Sequence, residues 1–455
     1  MKVYRPTILI VFLFTIMHSY GQEGSKSYFS LDECLTFALE HNENIIIANL
    51  EIEAARAKTG EYISTGLPQI DASAAVNRNF ILRRTWVDGS NFDPSVPEGT
   101  LIQLEFGTPY DAEYGVGLTQ MIFNGSYFVG LKASKTYQEL SKKDHIKSKI
   151  DVVESVTKAY YSVLVNEMLL ETVNSNYTRL DSLLKETTIM YDNGFVELLE
   201  LNRLQVEFNN IQTQKVNSER AVEISKELLK FQMGMPVEFD LEISQTLSDL
   251  DFNLQEELDM KHSFQRRIEY SRLETSRQLA ELDMRNNRAQ YLPKIDLVAS
   301  WGMNAGVKDF GTLGEFGNNR VWTDYQITGL TLNLPIFDGL YKSKKVQQNK
   351  IQLKQLEYQR MMLENSIQME VTQYRKTLQN NLDQLESQEK NMDLAQSVYN
   401  QAKIKYQEGV GSNLEIIDAD NSYKQAQSNY FNALYDALIS HVDYQKALGI
   451  LSIDY

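Results

Sequence analysis

Cysteine is almost absent from this chain of 455 residues, in which Cys34 is the only one. An internal disulfide is therefore excluded. The five histidines are scattered, and none forms a His-x-x-x-His pair that could hold zinc on one helix face. No grouping of a nucleophile with a base stands out either. We therefore expect no metal, no cofactor and no enzyme active site.

Long hydrophobic runs and excess positive charge are also lacking. The apolar run near the start, residues 7–17, follows Lys2 and Arg5 and is too short for a transmembrane helix, which needs about 20 residues. We expect residues 1–21 to be a signal peptide cleaved before Gln22, so that the mature chain leaves the cytoplasm. No cysteine stands at this cleavage point to carry a lipid. The net charge of −16 argues against nucleic acid as a partner.

Glycine and proline are missing from two long segments, Leu131–Asn193 and Leu340–Glu408. Each segment can therefore continue as a single helix, and the longer one would reach roughly 100 Å at about 1.5 Å per residue. The second segment carries an apolar stripe at gaps of mostly three and four residues, which is typical of coiled-coil packing. The stripe consists of Ile367, Val371, Tyr374, Leu378, Leu382, Leu385, Met392, Ala395 and Tyr399.

The chain contains an internal duplication. Three short motifs occur in the same order in both halves. They are Leu-Pro-x-Ile at 67–70 and 292–295, Ile-Phe-Asx-Gly at 122–125 and 336–339, and Tyr-x-x-Gly at 191–194 and 406–409. We therefore expect a first repeat (22–235), a linker or equatorial segment (236–262) and a second repeat (263–455).

Each repeat is expected to have the same plan. A helix comes first, predicted at Leu31–Gly60 and again at Phe264–Tyr291. A pair of strands follows, at about 69–124 and 294–337. A long helical hairpin completes each repeat, at about 126–234 and 339–449.

The predicted strands alternate between apolar and polar side chains, as a membrane barrel strand requires, although a soluble two-sheet core is the alternative. In the second repeat the apolar series is Ile295, Leu297, Ala299, Trp301 and Met303. Trp86, at the end of the first strand, and Trp301 and Trp322, in or beside later strands, are expected at the membrane interfaces. Tyr325 and Ile327 break the parity of the last strand, which indicates either a bulge or the end of the apolar layer.

Four strands cannot close a barrel by themselves, because unpaired strand edges are not tolerated in lipid. Several copies must therefore share one barrel. Three copies related by cyclic symmetry would give twelve strands, an even number within the usual range. The same assembly would set the long helices side by side, as a tube continuous with the barrel.

The order and duplication of these motifs resemble the TolC family of outer-membrane efflux and secretion channels. The resemblance covers nearly the whole mature chain, including the strand exit Pro335–Gly339. It implies a fold that is mostly α with membrane β: a homotrimer with a twelve-stranded β-barrel in outer-membrane lipid, continuous with a periplasmic α-helical barrel. It also implies a closed inner end that docks on a periplasmic adaptor and an inner-membrane pump.

The resemblance further assigns roles at the hairpin tips. Glu415 and Asp418 match positions where family members carry an acidic pore constriction, and three copies would form a carboxylate ring. Tyr406 matches the tyrosine that holds the closed state, and we expect it to bond to Glu200, the repeat-mate of Glu415.

The tip turns are expected at Gly194, Gly409 and Gly411, where the adaptor would dock. Gly411 stands where family members with a well-studied gate place an arginine. We therefore expect the salt bridge of that latch to be missing, with Arg203, four residues before Glu207, as a conjectural substitute.

We expect the chain to be a passive exit duct in the outer membrane for substrates driven by an inner-membrane pump. Type I protein secretion uses the same kind of tube and stays open as an alternative. A periplasmic adaptor, from a different class, would show one hairpin flanked by small β-domains. A secreted enzyme would need a catalytic site, and the sequence indicates none.

Overall fold

Most of the chain is helical. The computed structural model describes residues 27–246, 260, 262–314 and 321–451. The predicted signal peptide and much of the predicted linker lie outside these residues. The first repeat contains β1 (Ser27–Phe29), α1 (Leu31–His41), α2 (Glu43–Ser64), β2 (Gln69–Arg78), β3 (Arg83–Asp88), β4 (Leu101–Phe106), β5 (Tyr110–Asn124), α3 (Gly125–Asp192) and α4 (Leu198–Met233). Then follow β6 (Leu241–Ile243), α5 (Ile268–Ala289), β7 (Lys294–Val307), β8 (Trp322–Asn333), α6 (Tyr341–Gln407) and α7 (Asn413–Leu448).

Four strands form one antiparallel sheet in the order β2–β5–β7–β8. The strand pairs of the two repeats therefore lie side by side and meet where β5 pairs with β7. Ala72, Val116, Trp301 and Gln326 form one row across this sheet. Because side chains alternate along a strand, this register collects the apolar series of β2, β5 and β7 on one face.

The opposite face of the sheet is polar and rich in glycine. There the Tyr325 hydroxyl donates a hydrogen bond to Glu113 at 2.5 Å. A Cβ added at Gly302 would lie 2.8 Å from that hydroxyl. The Tyr325 side chain can therefore lie across β7 only because position 302 is a glycine. The alternation expected from the sequence is therefore present in the sheet as two chemically different faces.

One detail of the predicted strands is wrong, and one of the two alternatives for the last strand is excluded. Trp86 does not end the first strand, because β2 ends at Arg78 and Trp86 lies in β3, which pairs with β4 in a hairpin of its own. The bulge considered for the last strand is also not there. β8 pairs with β7 without a shift, and the irregularity lies in β5, between Met121 and Phe123. Tyr325 therefore faces the polar side in a regular strand.

Each repeat continues into a hairpin of two long helices, as predicted. α3 and α6 have 68 and 67 residues, and the return helices α4 and α7 have 36 residues each. Both return helices end at glycines, Gly234 and Gly449, with φ of 71° and 70°. A side chain with a Cβ is disfavoured in this left-handed conformation, so a glycine ends each helix without strain.

The first opening helix is broken, contrary to the prediction of one helix over Leu31–Gly60. The break lies at Asn42, whose Oδ1 accepts from the Asn44 amide at 2.9 Å and caps α2. Its Nδ2 donates to the carbonyl oxygen of Gln232, at the end of α4, at 2.8 Å. The chain breaks here because the end of α4 packs against it: a Cβ on Gly234 would lie 2.9 Å from the Asn42 Cα.

Arg267 takes the place of Asn42 in the second repeat. The segment begins with a single 3-10 turn, Phe264–Arg266, and α5 starts after Arg267, where one helix was expected from Phe264 to Tyr291. α2 and α5 have 22 residues each. The Arg267 Nη1 donates to the carbonyl oxygen of Ala447, at the end of α7, at 3.1 Å. Both repeats therefore join a short helix to the end of a hairpin in the same way.

The helices follow the same order as the strands. α2 and α4 pack on α3, α3 packs on α5 and α7, and α5 and α7 pack on α6.

The predicted linker also contains structure, because β6 pairs in parallel with β1. Buried apolar side chains fill the joint between α1, α3, α4 and α7, and Leu35, Tyr160 and Met233 are at its centre. Within the described residues, no helix has the combined length and apolarity to cross a membrane.

Candidate gate at the hairpin tips

Both hairpin tips turn at a glycine with a left-handed backbone. Gly194 has φ of 77° and Gly409 has φ of 75°. The amide of the following residue, Phe195 or Val410, donates back into the helix at 2.9 and 3.0 Å, which closes the turn. Phe195 and Val410 are each 79% exposed. Each tip therefore presents one apolar side chain.

Gly411, the third predicted turn residue, is closely packed. A Cβ on Gly411 would lie 2.9 Å from the Lys405 Cβ, so a side chain there would require the neighbouring lysine to shift.

The two predicted constriction carboxylates lie on the first turns of α7. Ser412 caps this helix and accepts from the Glu415 amide at 3.2 Å. The Glu415 and Asp418 side chains are both exposed and line one groove between α6 and α7. Glu415 accepts a hydrogen bond from the Lys405 Nζ at 3.1 Å. Within the described residues the Asp418 carboxylate has no such partner, so only Glu415 has a cation bound to it.

The predicted hydrogen bond between Tyr406 and Glu200 is replaced by another contact. Tyr406 is buried, and its hydroxyl lies 3.4 Å from the Thr187 Oγ1 of α3. The tyrosine packs among apolar residues where α3 meets the second hairpin, so its hydroxyl meets α3 instead of α4. Glu200, at the start of α4, has no side-chain hydrogen bond or ion pair among the described residues.

Arg203, the conjectural substitute for the missing arginine, is exposed and makes no ion pair among the described residues. Glu207 lies instead 3.9 Å from the Lys424 Nζ of the second hairpin. Lys424 also binds Asp420, one helix turn before it, at 2.6 Å. The ion pair between the hairpins that involves Glu207 therefore uses a lysine that the sequence analysis did not single out.

Arg179 was also missed. Its Nη2 donates to the Asp420 Oδ1 at 2.5 Å, from α3 of the first hairpin to α7 of the second. The guanidinium carbon lies 4.5 Å from the ring centroid of Tyr399 and 5.3 Å from that of Tyr423. A signal was present in the sequence: Asp420 follows Ile416 by four residues and precedes Tyr423 by three, so a charge occupies an apolar helix face.

A second set of charges joins the two repeats far from the tips. Lys158 of α3 binds Asp443 of α7 at 2.5 Å, and Lys446 of α7 binds Glu154 and Asp151 of α3 at 2.5 and 3.0 Å. Burial alone would raise the pKa of Glu154, but hydrogen bonds from Lys158 and Lys446 outweigh it and lower that pKa. The same balance lowers the pKa of Asp151. These carboxylates are therefore ionised and paired at neutral pH.

Comparison with known proteins identifies the family. The family model described as "Outer membrane efflux protein" matches residues 35–235 and 264–450. The chain belongs to this family. The outer membrane protein TolC of Escherichia coli is 21% identical over 347 residues, which are 74% of this chain and 69% of TolC. The probable efflux pump outer membrane protein TtgC of Pseudomonas putida is 23% identical over 440 residues, 94% of this chain and 85% of TtgC.

The fold is shared with solved structures of channels. The CmeC outer membrane channel of Campylobacter jejuni superposes with a TM-score of 0.69 at 18% identity, covering 98% of this chain and 94% of CmeC. The predicted resemblance to the TolC family, the mostly helical fold with a strand-containing domain, the outer-membrane location and the function as an efflux exit duct are thereby confirmed. TtgC is named as part of an efflux pump and CmeC as a channel, and none of these three relatives is named as an enzyme.

Proposed function

We propose that three copies of this efflux protein form one passive duct, which receives substrates from an inner-membrane pump through a periplasmic adaptor. The support begins at the edges of the sheet. Within the described residues, β2 and β8 each have one side without a strand partner. Unpaired strand edges cannot stay in lipid, and pairing β2 of one copy with β8 of the next satisfies both. Repeated around an axis, this contact closes a ring of twelve strands.

The helices below those strands support the same contact. α6 lies on the side of β8 and exposes an apolar stripe whose members are all more than half exposed: Ile351, Tyr358, Met362 and Met369. On the side of β2, the outer faces of α2 and α4 expose Ile47, Leu50, Ile224 and Phe231. Exposed apolar stripes on the two outer sides of one chain indicate contacts with another protein. The side of β8 and the side of β2 carry different residues, so the β8 side of one copy would meet the β2 side of the next in a head-to-tail contact.

The segment between β8 and α6 carries the strongest single observation. Ile336 is 92% exposed and Phe337 is 81% exposed, and they follow the end of β8 at Asn333 by three and four residues. Burying two such side chains would contribute about 3–6 kcal/mol of hydrophobic free energy. A neighbouring copy, joined at the same edge, is in the right place to cover them.

The assembly can be tested by native mass spectrometry of the full-length protein in detergent. We expect a mass of three chains for the wild type and dissociation for Phe337→Asp. Phe92→Asp is the matched control, because Phe92 is 61% exposed but lies between β3 and β4, in the separate hairpin outside the four-stranded sheet. A wild type that stays monomeric, or equal loss of trimer in both variants, would contradict the proposed contact.

We propose that the tips form the constriction of the duct, with Glu415 and Asp418 facing the axis. Because Lys405 is paired with Glu415, while Asp418 has no ion-pair partner among the described residues, Asp418 should dominate cation selectivity. Single-channel recordings in planar bilayers should therefore show a larger loss of cation selectivity for Asp418→Ala than for Glu415→Ala. Equal selectivity of both variants and the wild type would place the constriction elsewhere.

The tip turns at Gly194, Gly409 and Gly411 are proposed as the adaptor docking site. Support comes from Phe195 and Val410, which extend from the two turns as exposed apolar side chains. TtgC is named as part of an efflux pump, and we assign this chain to the same kind of assembly. Substrate passes without covalent change, so no enzyme activity is proposed.

Outer-membrane lipid is the proposed partner of the apolar face of the sheet. Trp301 lies on this face and is 51% exposed. Trp322 lies on the same face, in the row of Ala305, and its Nε1 donates to the carbonyl oxygen of Leu313 at 3.2 Å. Both suit a membrane interface, where aromatic rings meet lipid, and the polar atom of Trp322 also keeps a partner. Trp86 lies in the separate hairpin and is not part of this face.

A further inference from the structure

The two long helices are basic where they leave the sheet, although the chain as a whole is acidic. Residues 125–138, at the start of α3, and 341–356, at the start of α6, contain seven lysines and no acidic residue. The net charge of the whole chain is −16. The first acidic residue is Glu139 on α3 and Glu357 on α6. Positive charge is therefore concentrated beside the strand-containing domain.

Two aromatic side chains show which face of α3 continues the apolar face of the sheet. Phe123, near the end of β5, pairs with Ile295 of β7 and so lies on the apolar face with it. Phe128 lies in the first turn of α3, is 58% exposed, and has its ring centroid 6.3 Å from that of Phe123. Phe128 therefore extends the apolar face of the sheet onto the helix.

Lys132 and Lys135 lie on this same face of α3. They follow Phe128 by four and seven residues, and residues at this spacing are neighbours on one side of a helix. Both lysines are exposed, and neither forms an ion pair within the part of the chain that the structure describes. The next charges along the helix differ, because Glu139 and Lys142 bind each other at 2.7 Å. The two lysines therefore keep their charge for a partner outside the chain.

The depth of the two lysines matches the head-group layer of a membrane. Aromatic rings such as Phe128 mark the edge of the hydrocarbon layer. At about 1.5 Å per residue, the backbone of Lys132 lies about 6 Å beyond Phe128, and that of Lys135 about 10 Å beyond it. Each head-group layer is about 5–8 Å thick, and a lysine side chain can extend back toward it. The ammonium groups can therefore reach lipid phosphates.

We propose that Phe128, Lys132 and Lys135 form a binding surface for anionic phospholipid head groups in the periplasmic leaflet of the outer membrane. This inference rests on the proposed contact of the apolar face of the sheet with lipid, and it adds the class of lipid. Phe128 contacts the upper part of the acyl chains, and the two ammonium groups attract a head group with net negative charge. Anionic cargo inside the duct is the other partner that lysines could attract, but Phe128 places this face on the lipid side.

The test is native mass spectrometry of the full-length trimer in detergent at low salt, with equal amounts of phosphatidylglycerol and phosphatidylcholine that carry the same acyl chains. We expect the wild type to retain phosphatidylglycerol in preference. Changing Lys132→Gln and Lys135→Gln together should lower that preference roughly tenfold, because the attraction of two lysines for anionic lipid is lost. Added salt should weaken the wild-type preference by screening the same attraction.

Two further double variants serve as controls. Lys185→Gln with Lys390→Gln removes the same charge from the long helices far from the sheet, at side chains that are 72% and 69% exposed. Lys132→Arg with Lys135→Arg keeps the positive charge at the proposed surface. Both should retain the wild-type preference. Loss of preference in the arginine variant would mean that charge does not select the lipid, and would overturn the proposal.

The remaining outcomes separate this inference from the proposed function. A wild type that retains both lipids equally would overturn the head-group selection but leave the lipid contact of the sheet standing. The same holds if the glutamine variant keeps the full preference. A glutamine variant with altered anion selectivity in single-channel recordings and unchanged lipid retention would place these lysines in the duct, and would also overturn the proposal. Trimers that retain neither lipid would contradict the lipid contact of the sheet itself.

Discussion

The two repeats share their geometry but hold it with different chemistry. In the first repeat, a neutral amide joins the opening helix to the end of the hairpin, since Asn42 donates to the Gln232 carbonyl. In the second repeat, Arg267 makes the same contact with Ala447 and also binds Glu269 and Glu370 at 3.0 and 3.1 Å. The duplicated backbone therefore determines where a donor is needed, but not whether that donor is charged.

The passage from strand to helix differs in the same way. In the first repeat, β5 runs directly into α3, and Asn124 caps the helix by accepting from the Ser126 amide at 3.0 Å. In the second repeat, residues 334–340 separate β8 from α6, and the last two of them, Gly339 and Leu340, have a left-handed backbone. Leu340 has φ of 69°, which is a strained conformation for a leucine. The second repeat thus stores strain and charge at positions where the first has neither.

The largest effect should come from the geometry that both repeats share. Gly234→Ala and Gly449→Ala should each cost about 3 kcal/mol, because a Cβ would strain the left-handed backbone and lie 2.9 Å from main-chain atoms of the neighbouring segment. Gly409→Ala is the control with a similar φ and open space around it, and should cost about 1 kcal/mol. Denaturant unfolding followed by circular dichroism measures all three. Equal costs at all three glycines would mean that the close packing does not matter.

A smaller difference in stability, about 1.5 kcal/mol, should distinguish the two joints. Arg267→Met leaves Glu269 and Glu370 without their counter-charge and should lower the free energy of unfolding by about 3 kcal/mol. Asn42→Ala loses a cap and one hydrogen bond and should cost about 1.5 kcal/mol. Arg266→Met, at the exposed neighbouring residue, should be near zero. If Asn42→Ala lowers the free energy of unfolding as much as Arg267→Met does, the two repeats do not differ in the strength of this joint.

Relieving the strain at Leu340 should have a weaker and opposite effect. Leu340→Gly should raise the free energy of unfolding by about 1 kcal/mol, because glycine adopts positive φ without a Cβ clash. Leu340→Ala removes most of the same exposed side chain but keeps the clash, so it should show no gain. The same unfolding experiment applies. A gain in both variants would assign the effect to the lost side chain and not to the backbone.

The smallest effect is expected from pH near neutrality. The pKa values of Asp151 and Glu154 are lowered in the folded chain, so their contribution to stability is present above about pH 5 and is lost as pH falls through those lowered values. Thermal unfolding should therefore be flat from pH 6 to pH 8 and fall below about pH 4. Glu154→Gln should reduce the acid drop. A marked slope between pH 6 and pH 8 would point to other titrating groups.

The long elements could be predicted from the sequence because their patterns are local. The absence of glycine and proline, with apolar residues at helical spacing, predicted α3 and α6, and alternation predicted the sheet strands. The break at Asn42 could not be predicted, since asparagine is compatible with a helix and only the end of α4 against it breaks the chain. For the same reason Trp86 was placed in the wrong strand: nothing in its own segment tells a sheet strand from a separate hairpin.

The tip contacts show the same limit. The role of Glu415 and Asp418 as a constriction stays a prediction from the resemblance, whereas the Tyr406 hydroxyl meets Thr187 instead of Glu200. Which side chain a buried hydroxyl meets depends on how two helices rotate against each other, and helix periodicity does not specify that rotation.

By itself, the sequence determined the duplication, the lengths of the helices, the turn glycines and the two faces of the sheet, because each depends on residues close together in the chain. Only the tertiary structure decided which distant charges meet: Arg179 with Asp420 and Lys158 with Asp443 across the repeats, and Arg267 with Glu370 within the second repeat. Those pairs lie a hundred residues or more apart, and their partners are chosen by the packing of helices whose surfaces carry many equivalent charges.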